Sequence, residues 1–290
     1  MFSITVVVEG VFFITKLDWN HMEKKLSEYI NDCDMIIVGI GSEWDWIRRG
    51  LKSDGRYNDL LEYCKDEQNE WLLPIIEFEY GYYNNDATID EAYKKLRDII
   101  GDKDYFLVAD IFLQDALLNG FDNEKCVFPC GNYRYLQSGN ADDPLIDVTK
   151  CEDFQGIINR IHRIIEGRNG VLMEGEGFYK PFFDGKTLYL NQKRQEYSKI
   201  KYNESSYLDN WDKYTKYLSS TMGKNLLMLE LGVSLDYPTV IRWPCEKVAF
   251  VNNKAHLIRV HEKLYHHTPE IKDKTDSVQM NSVNYILQES

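Results

Sequence analysis

Residues 225–244, NLLMLELGVSLDYPTVIRWP, decide how the chain is read. Leu226, Leu227, Met228, Leu229 and Leu231 form a nearly continuous apolar run, the pattern of a parallel strand covered by helices on both faces. Gly232-Val233-Ser234 closes it. In a doubly wound sheet the loops at the carboxyl ends of the strands make the ligand crevice, and glycine permits a close backbone approach to a phosphate. Outward from this strand, Met35-Ile36-Ile37-Val38 repeats the pattern and runs into Gly39-Ile40-Gly41-Ser42. Residues 105–108 supply a third buried strand, and residues 256–260 are the last one expected. The charged residues after Lys272 read as a solvated tail before 283–287 docks.

Between these strands, Thr88 and Glu91 spell a capping box for a helix with Ala92, Leu96, Ile99 and Ile100 on its apolar stripe and Gly101 as its stop. Asp18 is placed to cap an earlier helix striped by Met22, Leu26 and Ile30, and residues 3–16 read as two short strands or a hairpin. Residues 43–83 carry Trp44, Trp46, Tyr57, Trp71, Tyr80, Tyr82 and Tyr83; Pro74 argues against a central strand, so irregular helices are expected there. A helical pattern then runs to Asn119 with a Gly120 cap, followed by a short strand at Val127-Phe128. From Gly131 the texture changes to polar loop, then a helix from about Asp153 striped by Ile157, Ile158, Ile161, Ile164 and Ile165, then a hairpin around Asp184-Gly185. Residues 131–205 thus read as a small domain inserted into a Rossmann-like α/β domain of 1–130 plus 206–290, a parallel sheet with helices on both faces.

At 290 residues and 43% hydrophobic content the chain can bury a sizeable core. A net charge of −13 opposes nucleic acid or an anionic membrane surface as partner, since both reward clustered Lys and Arg. The six cysteines are scattered and form no C-x-x-C, which suits reduced thiols in the cytoplasm and argues against zinc. The first apolar run lacks a basic leader and a cleavage site, and no run has the length of a membrane span.

The order of these parts resembles the sirtuins, NAD-dependent protein deacylases built from a Rossmann-like domain and a small zinc-ribbon insertion. LELGVS with YPTVIRWPCE and YFLVADIFLQDALLNGFD carry the resemblance, over roughly residues 20–287, and point to the bacterial branch whose macrodomain-linked members transfer ADP-ribose. It implies NAD or ADP-ribose as ligand, held by Gly39, Gly41 and Ser42 of the first loop, by Gly232, Val233 and Ser234 of the second, and by His261 where the family has an adenosine-contacting asparagine. It also shows departures. Ile40 adds bulk to the first loop and Glu43 sets a carboxylate near the phosphate position. Where the family keeps T-x-N-x-D, residues 109–114 run Ala-Asp-Ile-Phe-Leu-Gln, with Ile111 and Leu113 unable to make the polar contacts. Cys130 stands at the position of the catalytic histidine, Ser138 at that of a zinc cysteine, and Arg168-Asn169-Gly170 replaces the second cysteine pair.

Plainer roles compete at each position. Gly39 and Gly41 also suit an empty strand-to-helix turn, Cys130 a buried small hydrophobe, Trp44 and Trp46 core aromatics, and His266-His267 a surface loop. Asp110 and Glu43 read either as a crevice carboxylate pair or as solvated or capping groups. The expectation is a degenerate sirtuin-like pseudoenzyme that does not deacylate and responds to a small nucleotide or a partner. One alternative is an NAD-consuming enzyme, a protein ADP-ribosyl transferase, deacylase or glycohydrolase, using Asp110 or Glu43. Another is a structural protein whose Tyr and Trp surface at 71–83 binds a protein partner or forms a homodimer.

Overall fold

The computed structural model describes residues 24–112 and 120–289, together with the backbone of β1 (Ile4–Val8) and β2 (Val11–Thr15), which pair antiparallel as a two-stranded ribbon. Asp18 and Met22 lie outside the described residues, as do Leu113, Gln114 and the helical pattern up to Asn119. The described chain opens with α1 (Leu26–Asp32) and β3 (Met35–Ile40). Residues 46–83 then form α2 (Trp46–Ser53), α3 (Asn58–Tyr63) and α4 (Leu73–Tyr83), with short 3-10 turns between them. Next come α5 (Ala87–Ile100), β4 (Asp104–Ala109) and β5 (Cys126–Val127).

A four-stranded antiparallel sheet follows, from β6 (Gly131–Ser138), β7 (Ile146–Asp147), β8 (Phe182–Phe183) and β9 (Lys186–Gln192) in the order β7-β6-β9-β8, with α6 (Glu152–Arg168) between β7 and β8. The chain returns through α7 (Leu208–Ser220), β10 (Leu226–Leu231), α8 (Arg242–Val251), β11 (Ala255–Val260), β12 (Thr275–Val278) and α9 (Ser282–Gln288).

The main sheet is six-stranded and parallel throughout, in the order β12-β11-β10-β3-β4-β5. This is the doubly wound order, with its switch point between β3 and β10. Successive residues of β4 show that both faces are covered. Tyr105 meets Phe121, itself against Tyr93 of α5, whereas Phe106 meets Tyr214 and Tyr217 of α7. The expected α/β class, with a parallel sheet and a small inserted sheet, is what the chain forms.

Three expectations are corrected. The segment after Lys272 is a sixth strand, β12, whose residues are buried despite their polarity: Asp276 accepts from Tyr29 Oη at 2.5 Å and Ser277 Oγ meets His267 Nδ1 at 2.7 Å. The cap of α5 is Asp86, which accepts from Thr88 N and Ile89 N, so Thr88 lies inside the first turn. Of the aromatics at 71–83, Trp71 and Phe78 are buried and only Tyr82 and Tyr83 are exposed.

In the small sheet, Gln137 Oε1 accepts from Asn191 Nδ2 at 2.7 Å and Asn203 N at 3.0 Å, a buried amide network beside the apolar stripe of α6. The six cysteines are free and buried, and the described residues contain no group of three potential metal ligands.

One charge pair is locked between two central strands. Glu230 of β10 and Arg259 of β11 are register partners, each 1% exposed, joined by Nε–Oε2 at 2.6 Å and Nη2–Oε1 at 3.1 Å. Breaking such a pair leaves a bare charge in the core, whereas replacing both partners does not. Arg259→Met should therefore lower unfolding free energy by about 3–5 kcal/mol in urea denaturation, and adding Glu230→Leu should recover most of it. A single variant as stable as the parent would refute this account of the pair.

Candidate functional site

The two glycine loops leave the adjacent strands β3 and β10 at the switch point and close on each other. Gly41 N donates to Leu231 O at 2.9 Å and Glu43 N to Gly232 O at 3.4 Å. A Cβ on Gly41 would stand 2.3 Å from Val233 Cα and 2.4 Å from Gly232 O, so the contact is backbone on backbone. Gly232, at φ 66°, adopts the left-handed conformation that glycine reaches without strain, and its missing Cβ would fall 2.6 Å from Glu43 Cβ. Gly39 is a ladder residue of β3, and Ile241 fills the place of its side chain. The structure thus brings Gly41, Ser42, Gly232 and Val233 together, packed against one another.

Glu43 explains what fills the space beside them. Its carboxylate is nearly buried, accepting from Glu262 N at 2.8 Å and Ser282 N at 2.7 Å, and so ties the first loop to the turn after β11 and to the start of α9. His261 is drawn into the same knot. Its Nδ1 accepts from Lys263 N at 3.0 Å and Leu264 N at 3.2 Å, and also lies 3.1 Å from Glu43 Oε1. A ring nitrogen that accepts two backbone protons has none to give the carboxylate, so the imidazole is neutral with its proton on Nε2. Burial, which pushes its pKa down, favours the same state. Glu43 is a structural clamp, which removes it from the expected carboxylate pair with Asp110.

The open space lies to one side, in a cavity of about 440 Å³ bounded by the segments after β3, β4 and β10. Ser42 and Ser234, both expected from sequence, line it with Asp45, Arg48, Arg49, Lys52, Asp110, Ile111, Phe112, Asp236 and Tyr237. Ile40 and Trp44 are wholly buried elsewhere, and Ile111 lines the cavity without filling it. Asp110 follows the last residue of β4, held by its N–H to Ile40 O at 3.1 Å. It is 4% exposed, and neither carboxyl oxygen has a hydrogen-bond partner among the described residues. Burial first, then the nearby charges of Asp236 and Glu230, pushes its pKa well above the carboxylate range, which favours the neutral form over that of an exposed carboxylate. Cys130 is fully buried, and burial raises its pKa, leaving an inert thiol.

A second polar cluster, not foreseen from sequence, shares Asp45 and Arg48 with the cavity's lining. Glu77 of α4 accepts from Arg48 Nε at 3.2 Å, from Tyr133 Oη at 3.0 Å and from Arg194 Nη2. Burial alone would raise the pKa of Glu77, but the guanidiniums of Arg194 and Arg48 hold it below the usual range. Asp45 caps α2 by accepting from Arg48 N at 3.0 Å, and burial lifts its pKa to about 6 against the opposing charge of Arg48. The available sequence signal was Glu77 and Glu79 standing inside the apolar helix LPIIEFEYG, which demands buried partners.

Solved sirtuin structures resemble the chain at low identity. A Sir2 structure described for the mechanism and regulation of Sir2 enzymes shares 11% identity over 92% of this chain and 98% of its own, at a TM-score of 0.49. Sir2Tm bound to a propionylated peptide shares 12% over 90% and 94%, at 0.48. Sir2 with a p53 peptide and NAD+ shares 11% over 92% and 97%, at 0.42. No protein-family model and no curated protein sequence matches the chain. A likeness at this level assigns neither an activity nor a residue role to the chain.

Two predictions separate the clamp and the acids. Glu43→Ala should lower stability by about 1–3 kcal/mol, because the exposed Glu262 N–H and the partly buried Ser282 N–H lose their acceptor, whereas Asp110→Asn should stay within about 1 kcal/mol because no partner among the described residues is lost. Equal losses in calorimetric melting would contradict the assignment. Asp45 has a folded pKa of about 6, above that of the unfolded chain, so the folded state holds the proton more tightly. Its contribution is full below about pH 4 and is lost as pH rises through 6, a fall of about 3 kcal/mol. Asp45→Asn keeps the cap and should lack this decline in urea melts from pH 4 to 7; parallel curves for both proteins would sink it.

Proposed function

We propose that the chain is a sirtuin-like, non-deacylating protein whose crevice takes a nucleotide of the NAD or ADP-ribose type, in a cytoplasm that keeps its six buried thiols reduced. The observation that carries this reading is Asp110: a buried carboxyl group with both oxygens unpartnered among the described residues, lining a cavity at the carboxyl edge of a doubly wound sheet. A carboxylic acid in this state lacks one acceptor for its proton and a donor for its carbonyl, which an amide or hydroxyl of a nucleotide supplies. Lys52, exposed at the mouth and without a partner among the described residues, adds a cation within reach of phosphate.

The same geometry favours binding over turnover. Glu43 is committed to two backbone donors and Cys130 is a buried thiol whose pKa burial raises, so neither is placed as a general base. One observation favours a second reading. Asp45 also lines the cavity and titrates near 6, a value suited to a general base in NAD cleavage, although its carboxylate already caps α2. All residues lining the crevice belong to 1–130 plus 206–290, the larger part of the proposed division.

Isothermal titration of NAD and of ADP-ribose, with chromatography for released nicotinamide, tests both readings. The expected outcome is saturable binding without nicotinamide release, at least tenfold weaker in Asp110→Leu. Nicotinamide release abolished by Asp45→Asn would install the second reading, and absence of binding would remove both.

A further inference from the structure

Helix α8 is apolar on its outer side as well as its inner one. Cys245, Val248 and Ala249 are buried, while Trp243, Phe250 and Val251 are 56%, 62% and 48% exposed. A helix with apolar residues all round is the pattern of one enclosed by protein on every side, and α8 is covered on one side only. Met222, also exposed, sits in the turn that Asn252 ties to the end of the same helix, donating from Nδ2 to Thr221 O at 3.0 Å and to Lys224 O at 3.3 Å. Single apolar residues on a surface need no account, but four gathered along and beside one ten-residue helix mark a contact surface.

The spacing of the charges says what fits it. At 3.6 residues per turn, Trp243 and Phe250 fall within about 20° of each other on the helix, and Glu246 and Lys247 flank that line about 50° to either side. Lys247 is exposed and Glu246 partly so, with Oε1 accepting from Arg259 Nη1 at 2.7 Å. A seam of two rings with an acid on one flank and a base on the other complements a copy of itself that runs in the same direction. About a two-fold axis parallel to the helix, Lys247 of each copy comes beside Glu246 of the other, on both sides of the seam. An antiparallel pair would instead set lysine beside lysine and glutamate beside glutamate. We propose that this protein forms a homodimer through α8, paired in parallel with α8 of a second copy, Trp243 against Trp243 and Phe250 against Phe250.

The area available sets the strength of the pairing. A fully covered aromatic side chain buries about 150–250 Å², so the exposed parts of Trp243 and Phe250 leave roughly 250 Å² in water on each copy. With Val251, Met222 and the alkyl stem of Lys247, two such faces bury on the order of 1,000 Å² in all, the lower limit of a specific interface and the range of reversible ones. A partner of another kind would have to bring its own matched acid and base, whereas a second copy brings them by symmetry. None of these residues lines the nucleotide crevice, so the dimer stands apart from that reading.

Sedimentation velocity on the full chain, from about 1 to 200 µM, should show a reversible monomer–dimer equilibrium. Phe250→Glu puts two carboxylates on the seam and Lys247→Glu sets acid against acid on both flanks; each should weaken association at least tenfold while melting in urea as the parent does, because both side chains point outward. Orientation is read separately: in the parallel pair residue 250 faces its own counterpart, so Phe250→Cys treated with diamide should form a disulfide-linked dimer, a reaction the six buried native thiols do not give the parent. A chain monomeric over the whole range leaves the face to another partner and overturns the proposal. Undiminished association in Phe250→Glu or Lys247→Glu, or a dimer whose Phe250→Cys form does not cross-link, would overturn it as well.

Discussion

Because neither Gly41 nor Gly232 carries a Cβ, the turns after β3 and β10 meet backbone to backbone, and the layout of the sheet's carboxyl edge follows from that contact. Once the turns are closed, Glu43 is delivered to the free N–H groups of Glu262 and Ser282, and its carboxylate serves there as a built-in anion. The start of α9 and the turn after β11 are thereby fixed to the first loop. Trp44 adds to the same joint, donating from Nε1 to Ser282 Oγ at 3.1 Å. Space that in an open switch point would lie between the two loops is displaced toward β4, which is why the cavity is floored by Asp110 and not by the glycines.

The buried ion pairs obey a different constraint, the pairing of charges taken out of water. Glu230 with Arg259 and Glu77 with Arg194 are both nearly water-free, yet they differ in completeness. Arg259 uses Glu230, Glu246 and the His266 carbonyl, so its donors are well matched and the group serves the fold. Arg194 keeps one nitrogen without an acceptor among the described residues. Two buried arginines of one chain thus separate by satisfaction alone, one structural and one with capacity to spare.

Much of the fold was legible because buried parallel strands write themselves as apolar runs, and residues 226–231, 35–40 and 104–109 do so. β12 was illegible for the converse reason. Thr275-Asp276-Ser277-Val278 is polar, and its burial depends on partners from α1 and the 266–267 turn that no local pattern records. The glycine loops were visible as turns, but a missing Cβ does not say what occupies its place; Glu43 and Val233 do so here. Asp110 could be placed at a strand end from sequence, whereas Asp45, Arg48, Glu77 and Arg194 come from separate segments that only tertiary packing unites. The sole local hint was a pair of carboxylates in an otherwise apolar helix.

Satisfaction of buried groups also orders the candidate roles of the carboxyl edge. A buried polar group held for stability carries its partner with it, as Glu43 and Glu230 do, and removing either would be felt by the fold. Asp110 carries none among the described residues, so no described group compensates its removal from water. A residue of that kind at the carboxyl end of a central strand, beside Ser42 and Ser234 and opposite Lys52, is a cost to the free protein that a ligand can relieve. The resemblance to sirtuins brings attention to the glycine loops, but those loops are packed against each other, and among the described residues the unpartnered carboxyl at this edge is that of Asp110.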